Sequence, residues 1–152
     1  MNTYTVEQKY IKEIISQGIA NLVSLDVCTE FNNYVSQKYS WEVTGYRIDW
    51  SKYPSCKRFN WMESSDEETA AFLQNTCLGY FEEVCVIYGA KEPGVRVSLE
   101  YAKENLDVLM YHGWGTRFLV AVENSQFNYK PKLLYDCFLE VDRTTWLTSP
   151  SE

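Results

Sequence analysis

The strongest constraint on the fold is the stretch of residues 80–142, where the apolar pattern switches between the periods of strands and helices. It divides into four predicted elements: a strand at residues 80–88, a helix between residues 98 and 113, and strands at residues 116–123 and 133–142. Ser98 is suited to cap the helix, because its hydroxyl oxygen can accept a hydrogen bond from a backbone N–H of the first turn. These elements predict the spine of an α+β domain.

The last predicted strand has the clearest alternation. Its odd-numbered residues, from Leu133 to Val141, are apolar or small, whereas Asp136, Glu140 and Asp142 share the opposite side. Successive side chains of a strand point to opposite faces, so we expect the odd-numbered residues to lie in the core. The three carboxylates are then expected to face water or a partner.

The rest of the chain adds helices and one more predicted strand. Helical spacing of apolar residues predicts a helix up to Leu22 and a second helix at residues 26–40. Alternation predicts a strand at residues 41–50. Ser65 and Glu68 form a capping-box pattern that starts a further helix.

We therefore expect a single α+β domain over residues 1–143, with elements in the order α-α-β-α-β-α-β-β. The sheet is expected to be mixed or antiparallel, with about four strands and helices packed on it. The helix after residue 88 is long enough for a crossover connection, so its length is compatible with a parallel arrangement of the strands on either side of it. Residues 144–152 show no period and are expected to form a partly loose tail.

Charge and targeting signals restrict the function. The net charge of −7 repels nucleic-acid phosphates, so we expect no general nucleic-acid binding and a preference for basic partners. The first residues lack the basic and apolar regions of a signal peptide, and no apolar run approaches membrane-spanning length. We expect a cytoplasmic protein that does not bind a membrane.

The cysteine and histidine content argues against metal and disulfide chemistry. The five cysteines show no CxxC spacing, and there is one histidine, so both a zinc site and a disulfide framework are disfavoured. We expect all five cysteines to be reduced and mostly buried. We expect no metal and no cofactor.

No intact catalytic motif is present: the sequence lacks a P-loop, GxGxxG, GxSxG and HExxH. His112 precedes Gly113 at the end of a predicted helix, where exposed carbonyls would stabilise a protonated imidazole. It is either a general base on a glycine-flanked loop or a capping residue. Nothing at a fixed spacing supplies a nucleophile or an orienting carboxylate, which favours the capping role and predicts that the protein is not an enzyme.

Residues 46–61 form a basic segment. Four basic residues against one acidic residue give it a charge of +3, which leaves −10 for the rest of a chain whose net charge is −7. Aromatic rings interleave with the cations, a combination that can bind single-stranded nucleic acid or a phosphorylated ligand, although rings that pack inward would give the same pattern. The alternative ligand site predicted from this segment comprises Arg47, Trp50, Arg58, His112 and Trp114.

Carboxylates give the stronger signal. Glu100, Glu104, Asp107 and Tyr111 follow the spacing i, i+4, i+7 and i+11, which places them on one face of a helix. Asp136, Glu140 and Asp142 form a second acidic row on the last strand. Each row is compatible with a merely solvated face. Two rows together with the acidic helix start at residues 66–68, in a chain without catalytic motifs, suggest a surface for a basic partner.

Two functional hypotheses follow. The first is a small acidic, non-enzymatic binding protein of the immunity or inhibitor type, which neutralises a basic enzyme such as a nuclease toxin by occluding its active site. Its partner-binding residues would be the two acidic rows, including Tyr111. The second is a small-ligand binding or enzymatic α+β domain with a pocket near Arg47, Trp50, His112 and Trp114.

Overall fold

A computed structural model describes residues 6–45, 47–110, 117–123, 131–142 and 146–150, and within them shows one antiparallel sheet of seven strands flanked by helices. The helices are α1 (Val6–Ser16), α2 (Leu25–Lys38), α3 (Asp66–Gln74), α4 (Leu99–Glu104) and α5 (Leu106–Met110). The strands are β1 (Asn21–Val23), β2 (Lys57–Asn60), β3 (Glu83–Ile87), β4 (Gly94–Ser98), β5 (Arg117–Val122), β6 (Leu133–Val141) and β7 (Trp146–Ser149). Short 3-10 turns lie at Trp50–Lys52 and Cys77–Tyr80. Among these helices, none has the length and apolar character needed to cross a membrane.

The expected single α+β domain is confirmed, but the strand count and element order are wrong. The strands lie in the order β1-β4-β3-β5-β6-β7-β2. β3 pairs antiparallel with both β4 and β5, so no parallel crossover joins β3 to β5. The predicted strand at residues 41–50 reduces to one isolated bridge between Trp41 and Ile48. Residues 146–149, expected in a loose tail, form β7 between β6 and β2.

Both faces of the sheet are covered, which gives two separate apolar cores. We call them core A, on the face of the sheet that α1, α3, α4 and α5 cover, and core B, on the face that α2 covers. In β3, Val84 and Val86 point into core A, whereas Cys85 and Ile87 point into core B. Core A packs under α1, α3, α4 and α5, and core B packs under α2 and residues 48–50. A strand covered on both faces needs no polar side, so its alternation no longer separates core from solvent.

A bulge in β6 overturns the expected division of its faces. Val122 pairs with Leu133 and Val120 pairs with Phe138, so three residues of β5 span the same length as six residues of β6. Extra residues in one strand exchange the faces beyond them. Leu133 therefore packs in core B, whereas Leu139 packs in core A.

A disulfide joins Cys77, in the turn after α3, to Cys137 in β6. Their Cα atoms lie 5.8 Å apart, and the bond links positions separated by 60 residues. Cys28, Cys56 and Cys85 are free thiols. The expectation that all five cysteines are reduced is therefore wrong for two of them, and the cysteines no longer support a cytoplasmic location.

Helix ends follow the local signals in the sequence. The hydroxyl oxygen of Ser65 accepts from the backbone N–H of Glu68, and the Glu68 carboxylate accepts from the backbone N–H of Ser65, which confirms the capping box. Ser98 caps α4 by accepting from Tyr101 N–H over 3.0 Å. Gly18, with φ of +78°, occupies the left-handed position that closes α1.

Candidate functional site

The helix predicted to run on from Ser98 is divided into α4 and α5 at Asn105. Both the backbone N–H and the Nδ2 of Asn105 donate to the carbonyl oxygen of Tyr101, over 2.9 and 3.1 Å. A side-chain amide that binds a carbonyl four residues earlier competes with continuation of the helix. The expected straight row of carboxylates is therefore corrected to two short segments, and its fourth member, Tyr111, lies outside the described residues.

The break brings two of the predicted carboxylates to a third, which belongs to the acidic first turn of α3. Glu104 of α4, Asp107 of α5 and Asp66 of α3 line one cleft of about 30 Å³, together with Trp61 and Thr69. The three carboxylates are exposed, whereas Trp61 and Thr69 are buried. We use the term acidic surface for Asp66, Glu100, Glu104 and Asp107.

Lys103 also lines this cleft, but its charge is engaged by neighbouring side chains. Its Nζ lies 2.6 Å from Glu100 Oε2 and donates to Gln74 Oε1 over 2.8 Å. The Lys103 side chain is 14% exposed and that of Glu100 is 75% exposed. Solvent, and any partner, therefore meets the carboxylates of this surface more than its cation.

The second predicted acidic row does not form a surface, because its three members have different environments. Asp136 is exposed beside α2, where it accepts from Tyr34 Oη over 3.1 Å and lies 3.5 Å from Lys38 Nζ. The other two members are Glu140, near the end of β6, and Asp142, just after this strand. Asp136 is thus separated from the acidic surface by the thickness of the sheet.

Glu140 is buried, which contradicts its predicted place on a solvent or partner face. It is 2% exposed and accepts from the backbone N–H of Ile48 over 2.9 Å and from Trp50 Nε1 over 2.8 Å. In the sheet it lies between Phe118 of β5 and Thr148 of β7. Burial raises the pKa of the Glu140 carboxyl to about 7, although the two N–H donors and the charge of Arg47 act in the opposite direction.

Asp142 is half-buried and binds within the protein. Its Oδ2 accepts from Arg47 Nη1 over 2.6 Å, and its carbonyl oxygen accepts from Trp61 Nε1 over 3.0 Å. Arg47 also binds Glu42, through Nε and Oε1 at 2.9 Å, and the pKa of its guanidinium is raised chiefly by that hydrogen bond. The prediction that Asp142 belongs to an exposed partner-binding row is therefore corrected to an internal ion pair.

Three residues of the alternative ligand site lie at this same end of β6. Arg47 binds Asp142 and Trp50 binds Glu140, whereas Arg58 lies on β2 with its guanidinium 4.5 Å from the ring centroid of Trp146. Arg58 Nε also lies 3.4 Å from the hydroxyl oxygen of Thr148. His112 and Trp114, the remaining members, lie outside the described residues.

A groove that the sequence did not suggest lies between α2 and the start of β6. It has a volume of about 430 Å³, and the described residues that line it are Val27, Glu30, Pro131, Lys132, Leu133 and Tyr135. The ring of Tyr135 packs against Tyr34, with centroids 4.8 Å apart. No sequence signal joined α2 to this strand, because the two segments are about a hundred positions apart.

Fold alone does not imply function, which depends on the geometry and chemistry of a site. No protein-family model, curated protein or solved structure matches the chain. The described residues contain two groups of carboxylates, which differ in their exposure to solvent. The acidic surface is open to solvent, whereas the Glu140 and Asp142 carboxylates are used within the fold.

Proposed function

We propose that the protein is a non-enzymatic binding protein that holds a basic partner protein on its acidic surface. The observation that carries the proposal is the meeting of Asp66, Glu104 and Asp107 around one cleft. Exposed charges act over roughly 8 Å at physiological salt, so neighbouring carboxylates attract an approaching cation together. The net charge of −7 adds a longer-range attraction to basic proteins.

The partner that suits this surface is a basic enzyme, such as a nuclease toxin. Enzymes that act on nucleic acids carry cations around their substrate site, and a carboxylate-rich protein can occupy that site in place of the phosphates. The protein would then act as an inhibitor of the immunity type.

The alternative, a small-ligand or enzymatic site near Arg47 and Trp50, has less support from the contacts. The charged end of Arg47 is held by Asp142 and Glu42, and the indole N–H of Trp50 is held by Glu140. Groups engaged in this way offer little to a ligand unless those contacts open.

The experiment is capture of the partner from the native host, followed by association kinetics at low and high salt. The double variant Glu104→Lys/Asp107→Lys should slow association by about tenfold or more and reduce its salt dependence, because it removes the steering charge. The matched control is Glu30→Lys/Asp136→Lys, which changes the net charge equally on the other side of the sheet. An equal effect in both variants would contradict the proposed surface.

The proposed compartment is the cytoplasm, alongside such an enzyme. Fractionation of the native host tests this location, and the protein should be recovered with cytoplasmic marker proteins. Recovery outside the cytoplasm would contradict it and would agree with the disulfide between Cys77 and Cys137, because disulfides rarely persist in the cytoplasm. Purified protein that bound a metabolite near Arg47 and Trp50, and no protein partner, would contradict the inhibitor function as a whole.

A further inference from the structure

Residues 47–53, which we call the strap, cross core B and are fastened to the end of β6 by side chains. Glu140 binds Ile48 N–H and Trp50 Nε1, and Asp142 binds Arg47. Glu140 lies in β6, and Asp142 follows the last residue of that strand. The isolated bridge of Ile48 joins it to Trp41 and to no strand of the sheet. The strap is also bonded to Ser40, whose carbonyl oxygen accepts from Asp49 N–H over 2.8 Å and whose N–H donates to Tyr53 Oη over 2.9 Å. Its attachment to the end of β6 therefore depends on the contacts of Glu140 and Asp142 and on the packing of its apolar side chains.

Under the strap lies an aromatic layer. Ile48 and Trp50 share core B with Phe118 and Phe138, whose ring centroids are 5.7 Å apart. Tyr39 and Tyr53 pack against Trp50, with centroids 6.1 and 6.0 Å away. This packing holds the strap closed, and Glu140 lies at its margin.

We propose that Glu140 is a proton-controlled latch: its carboxyl group fastens the strap to the sheet, and loss of its proton loosens the strap. In the closed position a charged Glu140 has two N–H donors but almost no contact with water. Opening the strap hydrates the carboxylate, so the ionised form gains more from opening than the protonated form does. The latch is separate from the acidic surface and does not depend on the proposed function.

The charged groups around Glu140 do not reverse the preference of its buried carboxyl group for the protonated form. Arg47 stabilises the charged carboxylate, whereas Asp142 opposes it, and both effects are smaller than that of burial. The titratable and charged groups packed around the latch are Arg47 at the start of the strap, Glu42 before the strap, Asp142 just after β6, Arg58 on β2 beside Thr148, and the phenols of Tyr39 and Tyr53, which pack on Trp50.

The magnitude follows from linkage. The ordinary pKa of a glutamate carboxyl is 4.5 and that of Glu140 in the closed protein is about 7. A group that binds its proton more tightly when closed favours the closed form at low pH, and this preference fades as the pH rises through the closed-state value. Between pH 5 and pH 8 the opening constant of the strap should therefore rise roughly 70-fold.

The test is hydrogen exchange of the Ile48 amide from pH 5 to pH 8, corrected for intrinsic exchange, with the amides of β5 as internal reference. We expect the opening constant of Ile48 to rise by the stated factor while the β5 amides remain more protected. In Glu140→Gln the rise should disappear, because the carboxamide does not ionise. A flat profile in the wild type, or the same rise in Glu140→Gln, would overturn the latch.

A second variant keeps the proposal testable if Glu140→Gln does not fold. Trp50→Phe retains an aromatic ring but removes one N–H donor to the carboxylate, so the midpoint of the Ile48 profile should move to higher pH. An unmoved midpoint would show that another group controls the strap. If Ile48 and the β5 amides exchange with equal opening constants at every pH, the strap is released only by global unfolding, and the proposal is wrong.

Discussion

Loss of the disulfide between Cys77 and Cys137 should cost the protein a large part of its stability. The bond closes a loop between positions separated by 60 residues, and the loop-closure relation gives a stabilisation of about 4 kcal/mol for that length. Domains of this size are stable by only about 5–15 kcal/mol. Reduction is therefore expected to lower the free energy of unfolding by about 4 kcal/mol, mainly because the unfolded chain gains freedom.

Urea unfolding with and without a reductant measures this difference. The double variant Cys77→Ala/Cys137→Ala should reproduce it, and Cys85→Ala is the matched control, since Cys85 is a buried thiol outside the disulfide. Thiol titration of the denatured protein should count three thiols before reduction and five after it. Five thiols in the absence of a reductant, or an unfolding free energy that reduction leaves unchanged, would refute the reasoning.

Two further predictions concern buried positions in the sheet. Glu140→Lys places a cation where two N–H donors converge, so it should lower the free energy of unfolding by about 3 kcal/mol or more. Asp136→Lys, at a side chain that is 90% exposed, should change the free energy of unfolding by about 0.5 kcal/mol or less. Equal melting temperatures of the two variants would contradict the burial of Glu140. Gly94→Ala brings a Cβ atom to 2.4 Å from the carbonyl oxygen of Val86, so it should destabilise the β3–β4 pairing by about 1–3 kcal/mol. A melting temperature equal to that of the wild type would show that the two backbones do not approach so closely.

Short-range sequence signals predicted the helix starts and strands that depend on residues close together in the chain. Ser65 and Ser98 cap helices because their partners lie three residues away, and β3 and β5 carry runs of apolar and β-branched residues. In contrast, β1 and β2 have three and four residues, too few to show a period. Their pairing depends on distant strands: Asn21 of β1 lies opposite Arg96.

The candidate site was predictable only in part, for the same reason. Glu104 and Asp107 were grouped correctly by their spacing, but Asp66 joins them from a separate helix. Glu140 and Asp136 lie four residues apart and both occupy even-numbered positions of the same alternating pattern. Its partners, Trp50 and Ile48, are 90 and 92 positions away, so no pattern within the strand distinguishes an internal carboxylate from a solvated one.

The position of β2 at the edge of the sheet has a consequence for synthesis of the chain on the ribosome. β2 pairs with β7, and Lys57 lies opposite Ser149, so this pairing must wait until the ribosome has added 92 further residues. At roughly 5–20 residues per second, that delay is about 5–20 s. During this time Phe59, whose ring stacks on Phe72 of α3 at 4.8 Å in the finished protein, lies on a segment without a strand partner. The nascent chain therefore passes through an interval in which binding by a chaperone to residues 57–60 would be most effective.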